Sequence, residues 1–264
     1  MLTINEYVKV KSLEEAYELN QKKTNKIIGG MLWLKMGTQR VQTAIDLSGL
    51  GLDKIEETEE EFKIGSMTTL RDIEVNEGLN RYTKGAIKES LRHIVGVQFR
   101  NCATVGGSIY GRYGFSDVLT MFMALDSYVE LYKGGIVALK DFAKMKPDND
   151  IIVSIIVKKK PVNCVYLSER ISKTDFPVIA VCVSELDGKF MASVGARPAR
   201  AEVVFDDENI LSQGITDESA LKFGEYVSEK LSFNTNMRGS KEFRKHLAKV
   251  LVKRGVKAIG GDER

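Results

Sequence analysis

Hydrophobic positions along the chain switch between the two-residue period of strands and the 3.6-residue period of helices. Ser12-Leu13-Glu14-Glu15 reads as a capping box. The helix it opens, about three turns long, carries Leu13, Ala16, Tyr17 and Leu19 on one side. Lys26-Ile27-Ile28 is a short strand that stops at Gly29-Gly30. Apolar residues resume at Met31-Leu32-Trp33-Leu34 as a short helix, stop at Gly37, and return as a strand at 43–47. The opening is therefore strand, helix, strand, short helix, strand, an α/β arrangement whose parallel pairs need crossovers.

The pattern changes after Leu52. Ile55 and Phe62-Lys63-Ile64 predict two strands around an acidic, solvated turn at 56–61. Residues 69–75, 83–94 and 116–125 predict helices, with a glycine-rich segment at 104–114 before the last. Strands are predicted at 128–132, 136–139 and 151–157. Lys158-Lys159-Lys160-Pro161 interrupts the pattern and marks a boundary. Beyond it, alternating runs at 178–186 and 189–196 are joined by Asp187-Gly188, a hairpin signal because both turn residues need positive φ. Helices are predicted at 217–231 and 239–258, and no internal repeat is present.

Composition narrows the classes. Lys and Arg total 39 against 36 Asp and Glu, a net +3 that leaves no footprint for nucleic acid. No apolar run approaches the ~20 residues a bilayer requires, and the first residues lack the apolar core of a signal peptide, so a cytoplasmic protein is expected. Three separated cysteines and two histidines give no metal-type cluster. A zinc or iron–sulfur site is not expected on this chain.

Candidate chemistry centres on two glycine pairs. Gly29-Gly30 follows a strand, and Gly106-Gly107 lies in Ala103-Thr104-Val105-Gly106-Gly107-Ser108. Such pairs let the backbone turn at positive φ and bring successive N–H groups to a phosphate, or else simply make turns. No G-x-G-x-x-G is present, and Arg112-Tyr113 stands where a P-loop needs Lys and Ser or Thr. No nucleophile elbow is present, and His93 reads as a packed or surface residue in a helical run. Trp33, Tyr110, Tyr113 and Phe115 flank the two loops and could be core or could wall a planar cofactor.

Taken together, these segments resemble the FAD-binding (medium) subunit of molybdenum hydroxylases, the family of xanthine dehydrogenase and aerobic carbon monoxide dehydrogenase. Ile28-Gly29-Gly30-Met31-Leu32-Trp33 is similar to the family's first loop, A-G-G-T-x-L. Residues 103–108 match its second, A-T-[IVL]-G-G-[NS]. Val97-Gln98-Phe99-Arg100-Asn101, Ser116-Asp117, Ala44-Ile45-Asp46-Leu47-Ser48, Asp175-Phe176-Pro177, residues 195–200 and Arg238-Gly239-Ser240 continue the resemblance in order. Met31 and Leu32 replace polar residues of the first loop, which removes side-chain hydrogen bonds but not backbone ones.

The resemblance implies an α+β fold with an α/β N-terminal part. A two-part FAD-binding domain of the PCMH type would span 1–157, with subregions near 1–52 and 53–157. A C-terminal antiparallel sheet with helices would span 158–264. FAD would be held non-covalently by Lys26, Ile27, Ile28, Gly29, Gly30, Met31, Leu32 and Trp33, by Thr104, Val105, Gly106, Gly107 and Ser108, and by Asp117 at a ribose hydroxyl. No residue of the chain would be catalytic or bind a metal. The implied role is a xanthine dehydrogenase-like flavin oxidoreductase subunit. It would relay electrons between the [2Fe-2S] clusters of an iron–sulfur subunit, beside a molybdopterin subunit, and an acceptor such as NAD. The class of substrate would be a purine or another N-heterocycle. A flavin-free scaffold of the same fold and a stand-alone flavin oxidoreductase are the alternatives.

Overall fold

The structure is a computed structural model that describes residues 1–261. Strand β1 (Thr3–Lys9), helix α1 (Leu13–Asn20), β2 (Lys26–Ile28), a 3-10 turn at Leu34–Met36 and β3 (Arg40–Asp46) form the opening unit. Its sheet is parallel in the order β1-β3-β2. Ser12 caps α1 by accepting from the Glu15 amide, and Glu15 accepts from the Lys11 amide in return. Ala16, Ile45 and Leu47 pack with Ile151 of the next unit, which fixes the sheet against it.

The middle unit runs β4 (Ile55–Glu57), β5 (Glu61–Gly65), α2 (Leu70–Val75), α3 (Glu77–Tyr82), α4 (Ala86–Leu91), α5 (Val97–Arg100), α6 (Val105–Gly111), α7 (Asp117–Phe122), β6 (Ser127–Leu131), β7 (Gly135–Ala138), α8 (Leu139–Phe142) and β8 (Ile152–Lys158). Its strands form an antiparallel sheet, β4-β5-β8-β6-β7. The single helix predicted over 83–94 is shorter than expected. Lys84 (φ 50°) and Gly85 (φ 85°) take left-handed backbone, so α4 begins only at Ala86. The glycine-rich segment at 104–114, for which no helix is predicted, is largely helical as α6. Thr104 supplies the N-cap by accepting from the Gly107 amide at 3.3 Å.

The last unit contains β9 (Val162–Glu169), β10 (Ile179–Leu186), β11 (Lys189–Gly195), β12 (Glu202–Phe205), α9 (Asp217–Lys230) and α10 (Lys241–Ile259). The antiparallel order is β12-β11-β10-β9. Asp187 and Gly188 have φ of 51° and 72°, as the hairpin between β10 and β11 requires. The period of two divides β10 between two cores. Ile179, Val181 and Val183 pack with Phe223, Val227, Leu251 and Val252 of the terminal helices. Ala180 and Cys182 pack with Cys164, Tyr166 and the middle unit.

One buried ion pair holds the wall of the central cleft. Arg100 of α5 donates Nε and Nη2 to the Glu74 carboxylate at 2.8 and 3.2 Å, and Nη1 to the Ile94 carbonyl. Burial alone would raise the Glu74 carboxyl, but hydrogen bonds from Arg100 and Arg71 bring it below its ordinary value. A depressed carboxylate contributes stability above its unfolded value, and that contribution is lost as pH falls through the folded one. Glu74→Gln is expected to cost about 3 kcal/mol, because it leaves Arg100 buried without its charge partner. Urea unfolding near neutral pH checks this. An unchanged midpoint would show that the pair is dispensable.

Candidate functional site

The cleft lies where the opening unit meets α6, and it encloses about 360 Å³. The end of β2 delivers Ile28, Gly29 and Gly30 to it. Gly30 is glycine because of packing. A Cβ there would stand 1.9 Å from the Cys102 carbonyl oxygen, so no larger residue lets the two loops meet. A Cβ at Gly29 would meet the Thr104 hydroxyl at 2.7 Å.

Sequence reasoning places positive φ at the glycines, but neither pair adopts it. The left-handed residue is Met31 (φ 57°), one step later. This turn leaves the backbone amides of Gly29, Gly30, Met31, Leu32 and Trp33 without an acceptor among the described residues. Successive free N–H groups around a left-handed residue make an anion-binding concavity.

The second loop is organised differently. The Val105 amide donates to the Thr68 carbonyl at 3.0 Å and the Gly106 amide to the Ser66 carbonyl at 2.9 Å. Both amides are thus spent on seating α6 against the middle unit. Val105 is fully buried, and a Cβ at Gly106 would lie 2.6 Å from the Ser66 oxygen. Thr104, Gly107 and Ser108 do reach the cleft. A Cβ at Gly107 would find only the Thr104 hydroxyl within contact, at 3.1 Å, so the missing side chain opens space there.

Asp117 begins α7 and is buried. Its Oδ1 accepts from the Tyr166 hydroxyl and from Arg170 Nη2. Burial pushes the carboxyl up, and Arg170 and Tyr166 oppose that shift. Burial beside Asp117 also holds the Tyr166 phenol well above its ordinary value, so it stays a donor. Arg170 Nη1 donates to the Asp175 carbonyl at 2.7 Å, and Arg238 donates Nε and Nη2 to the Asp175 carboxylate at 3.1 and 2.8 Å. Two arginines thereby hold the β9–β10 connection at the cleft mouth.

Phe176 of that connection closes an aromatic group. Its ring lies 5.6 Å from Trp33 at an interplanar angle of 28°, and 4.2 Å from Phe115. Tyr113 stacks on Phe115 at 5.1 Å. Of the predicted site residues, Lys26 to Trp33, Thr104, Gly107, Ser108 and Asp117 are brought to one cleft, whereas Val105 and Gly106 stand behind its wall. His93, Arg170, Thr174 and Phe176 also line it but were not predicted as site residues. The Asp175-Phe176-Pro177 match was the one sequence signal pointing to that connection. Nothing local marked Arg170, which reaches Asp117 across 53 positions.

Comparison with known proteins gives the same outline. Residues 2–159 match the family described as the FAD binding domain in molybdopterin dehydrogenase, and residues 189–259 match the CO dehydrogenase flavoprotein C-terminal domain. The nicotine 6-hydroxylase medium subunit of Paenarthrobacter nicotinovorans is 25% identical over 274 residues, covering 96% of each chain. The uncharacterised protein YgfM of Escherichia coli K12 is 25% identical over 255 residues, covering 94% of each. A chain of reconstituted CO dehydrogenase from Oligotropha carboxidovorans superposes with a TM-score of 0.85 at 20% identity, over 100% of this chain and 99% of that one.

Proposed function

We propose, for a chain that belongs to the molybdopterin dehydrogenase FAD-binding family and carries a CO dehydrogenase flavoprotein C-terminal domain, that it is the electron-relay subunit of a larger hydroxylase. The observation that carries the reading is the run of five unpaired amides from Gly29 to Trp33, set across the cleft from Gly107. A diphosphate suits that concavity, because backbone N–H groups offset its charge without a countercharge from the protein. Lys26, at the start of β2, adds a cation to the lining. The aromatic group of Trp33, Phe115 and Phe176 offers flat apolar surface for a ring system and excludes water from it. Asp117, clamped by Arg170, holds α7 and the β9–β10 connection in register across the cleft.

Bound flavin would supply the redox chemistry, exchanging electrons singly or as hydride, while the protein orients it and tunes its potential. Among the described residues no group of three or more His, Cys, Asp or Glu could hold a metal ion. The reading puts iron–sulfur clusters and molybdopterin on partner subunits, with NAD or another external acceptor taking the electrons in the manner of xanthine dehydrogenase. The relative named for nicotine is consistent with an N-heterocyclic substrate for the complex. We assign 1–157 to flavin binding and 158–264 to the C-terminal domain. No helix among the described residues is long and apolar enough to cross a membrane, and we place the complex in the cytoplasm.

The protein purified alone is expected to show a flavin absorbance spectrum. Heat or acid should release free FAD to the supernatant, because the cradle holds it through backbone amides and packing. It should not hydroxylate any heterocycle until an iron–sulfur and a molybdenum subunit are added. Colourless protein that fails to take up FAD would favour the scaffold reading. Hydroxylation by the single chain would favour a stand-alone enzyme.

A further inference from the structure

A second cavity of about 460 Å³ shares no lining residue with the flavin cleft. It lies between α8, with the two residues that follow it, and the segment 197–202 that leads into β12. Four of its lining side chains are cationic: Lys140, Lys144, Arg197 and Arg200. Glu202 is the one acidic side chain in the lining, and it is already committed to Arg197 Nη2 at 2.8 Å.

Arg197 forms the floor and is 2% exposed. Its Nη1 donates to the Ser232 carbonyl and Nη2 to the Arg200 carbonyl, but Nε has no partner. Arg200 donates to the Ala143 carbonyl at 2.9 Å and makes no ion pair among the described residues. Lys140 sits 5.6 Å from the Phe205 ring, and neither it nor Lys144 meets a carboxylate among the described residues. Behind the cavity the buried Arg112 donates to the carbonyls of Phe142 and Tyr110, with its guanidinium 3.9 Å from the Phe142 ring. Burial and the like charge of Arg200 lower the Arg112 pKa, and Asp148 opposes them only weakly.

Five cations therefore converge where one lining acid is already taken. Lys140, Lys144 and Arg200 stand exposed at the rim with no carboxylate partner among the described residues, and the buried Arg197 keeps an unpartnered Nε, so an incoming anion offsets their mutual repulsion. Guanidinium groups present paired N–H donors that suit oxyanions, and lysines add unoriented charge at the rim. Met123 and Phe205 give the cavity an apolar side for the body of such a ligand. We propose that this cavity is a binding site for a small oxyanion of two or more charges, of the phosphate-ester or polycarboxylate class. Its segment is coupled to the flavin cleft. The Ala196 amide donates to the Gly114 carbonyl at 2.8 Å, and Gly114 separates Tyr113 from Phe115 in the cleft wall.

The test is calorimetric titration of the FAD-saturated chain with pyrophosphate, and separately with citrate, at constant ionic strength. One saturable site is expected. Arg200→Gln and Lys144→Gln, both at exposed positions, should each weaken it about tenfold, the loss of one charge-assisted contact. Tighter pyrophosphate assigns a phosphate ester, and tighter citrate a polycarboxylate. Lys26→Gln, in the flavin cleft, should leave the affinity unchanged. Heats that do not saturate, wild-type affinity in both Arg200→Gln and Lys144→Gln, or a loss confined to Lys26→Gln would overturn the proposal. The Arg200→Gln and Lys144→Gln differences report this cavity alone, so the result stands apart from the flavin reading.

Discussion

Gly30→Ala is expected to lower the melting temperature sharply, whereas Gly107→Val leaves the fold intact and removes the flavin. The two glycines look equivalent in sequence but meet different neighbours. At Gly30 the new Cβ would overlap the Cys102 backbone oxygen at 1.9 Å, and a backbone atom cannot swing aside. Overpacking of this kind costs ~3 kcal/mol or more, which for a domain of this size is about 6–12 °C. At Gly107 an added Cβ meets only the Thr104 hydroxyl, at 3.1 Å, and the residue faces the cleft. The residue lies within α6 without positive φ, so valine does not strain the backbone. Filling that space is expected to cost two or more contacts to a charged phosphate at ~1.5–3 kcal/mol each. FAD affinity would then drop at least a hundredfold with little change in the apo melt. Melting curves of both apo proteins, read beside flavin titrations, separate the cases. Loss of the Gly107→Val fold, or normal FAD affinity in that variant, would refute the assignment of Gly107 to the cradle.

Asp117→Ala is the second large effect. It leaves Arg170 and Tyr166 facing an empty space in the core, and removing one member of a buried ion pair costs ~3–5 kcal/mol. Asp117→Asn keeps an oxygen that can accept from Tyr166 and is expected to recover part of the loss. Arg170 also holds the Asp175 carbonyl, so the alanine variant should loosen Phe176 from Trp33 and Phe115. Tryptophan fluorescence reports that directly, since Trp33 is the single tryptophan of the chain. An alanine variant with an unaltered melt and an unaltered Trp33 signal would show that the pair neither stabilises the core nor positions the connection.

Much of the fold was legible before any coordinates. Ser12 caps α1 as its spacing predicts, although Glu15 reaches the Lys11 amide rather than that of Ser12; Asp187-Gly188 turns the hairpin, and the break at 158–161 separates β8 from β9. Strand β9 itself was missed. Only Cys164 and Tyr166 are buried along it, with polar residues between them, so its alternation is faint. Helix α6 was missed because glycine and tyrosine are weak helix formers. Its stability comes from the Thr104 cap and from the amides of Val105 and Gly106 bonded to the middle unit.

The sequence alone determined most strands, the β10–β11 turn and the cap of α1, and it pointed to the two glycine-bearing segments that meet at the cleft. Periodicity, caps and turn residues act within a few positions of one another, so those features can be read in order along the chain. Only the tertiary structure decided what each loop residue does. It assigned Gly30 and Gly106 to packing and Gly107 to open space, put the left-handed turn at Met31, and gave Asp117 to Tyr166 and Arg170. It also gathered Lys140, Lys144, Arg197 and Arg200 around one cavity. Each of these outcomes depends on whether a particular amide, carboxylate or cation meets a partner from a distant part of the chain, and that pairing is set by how the sheets and helices pack.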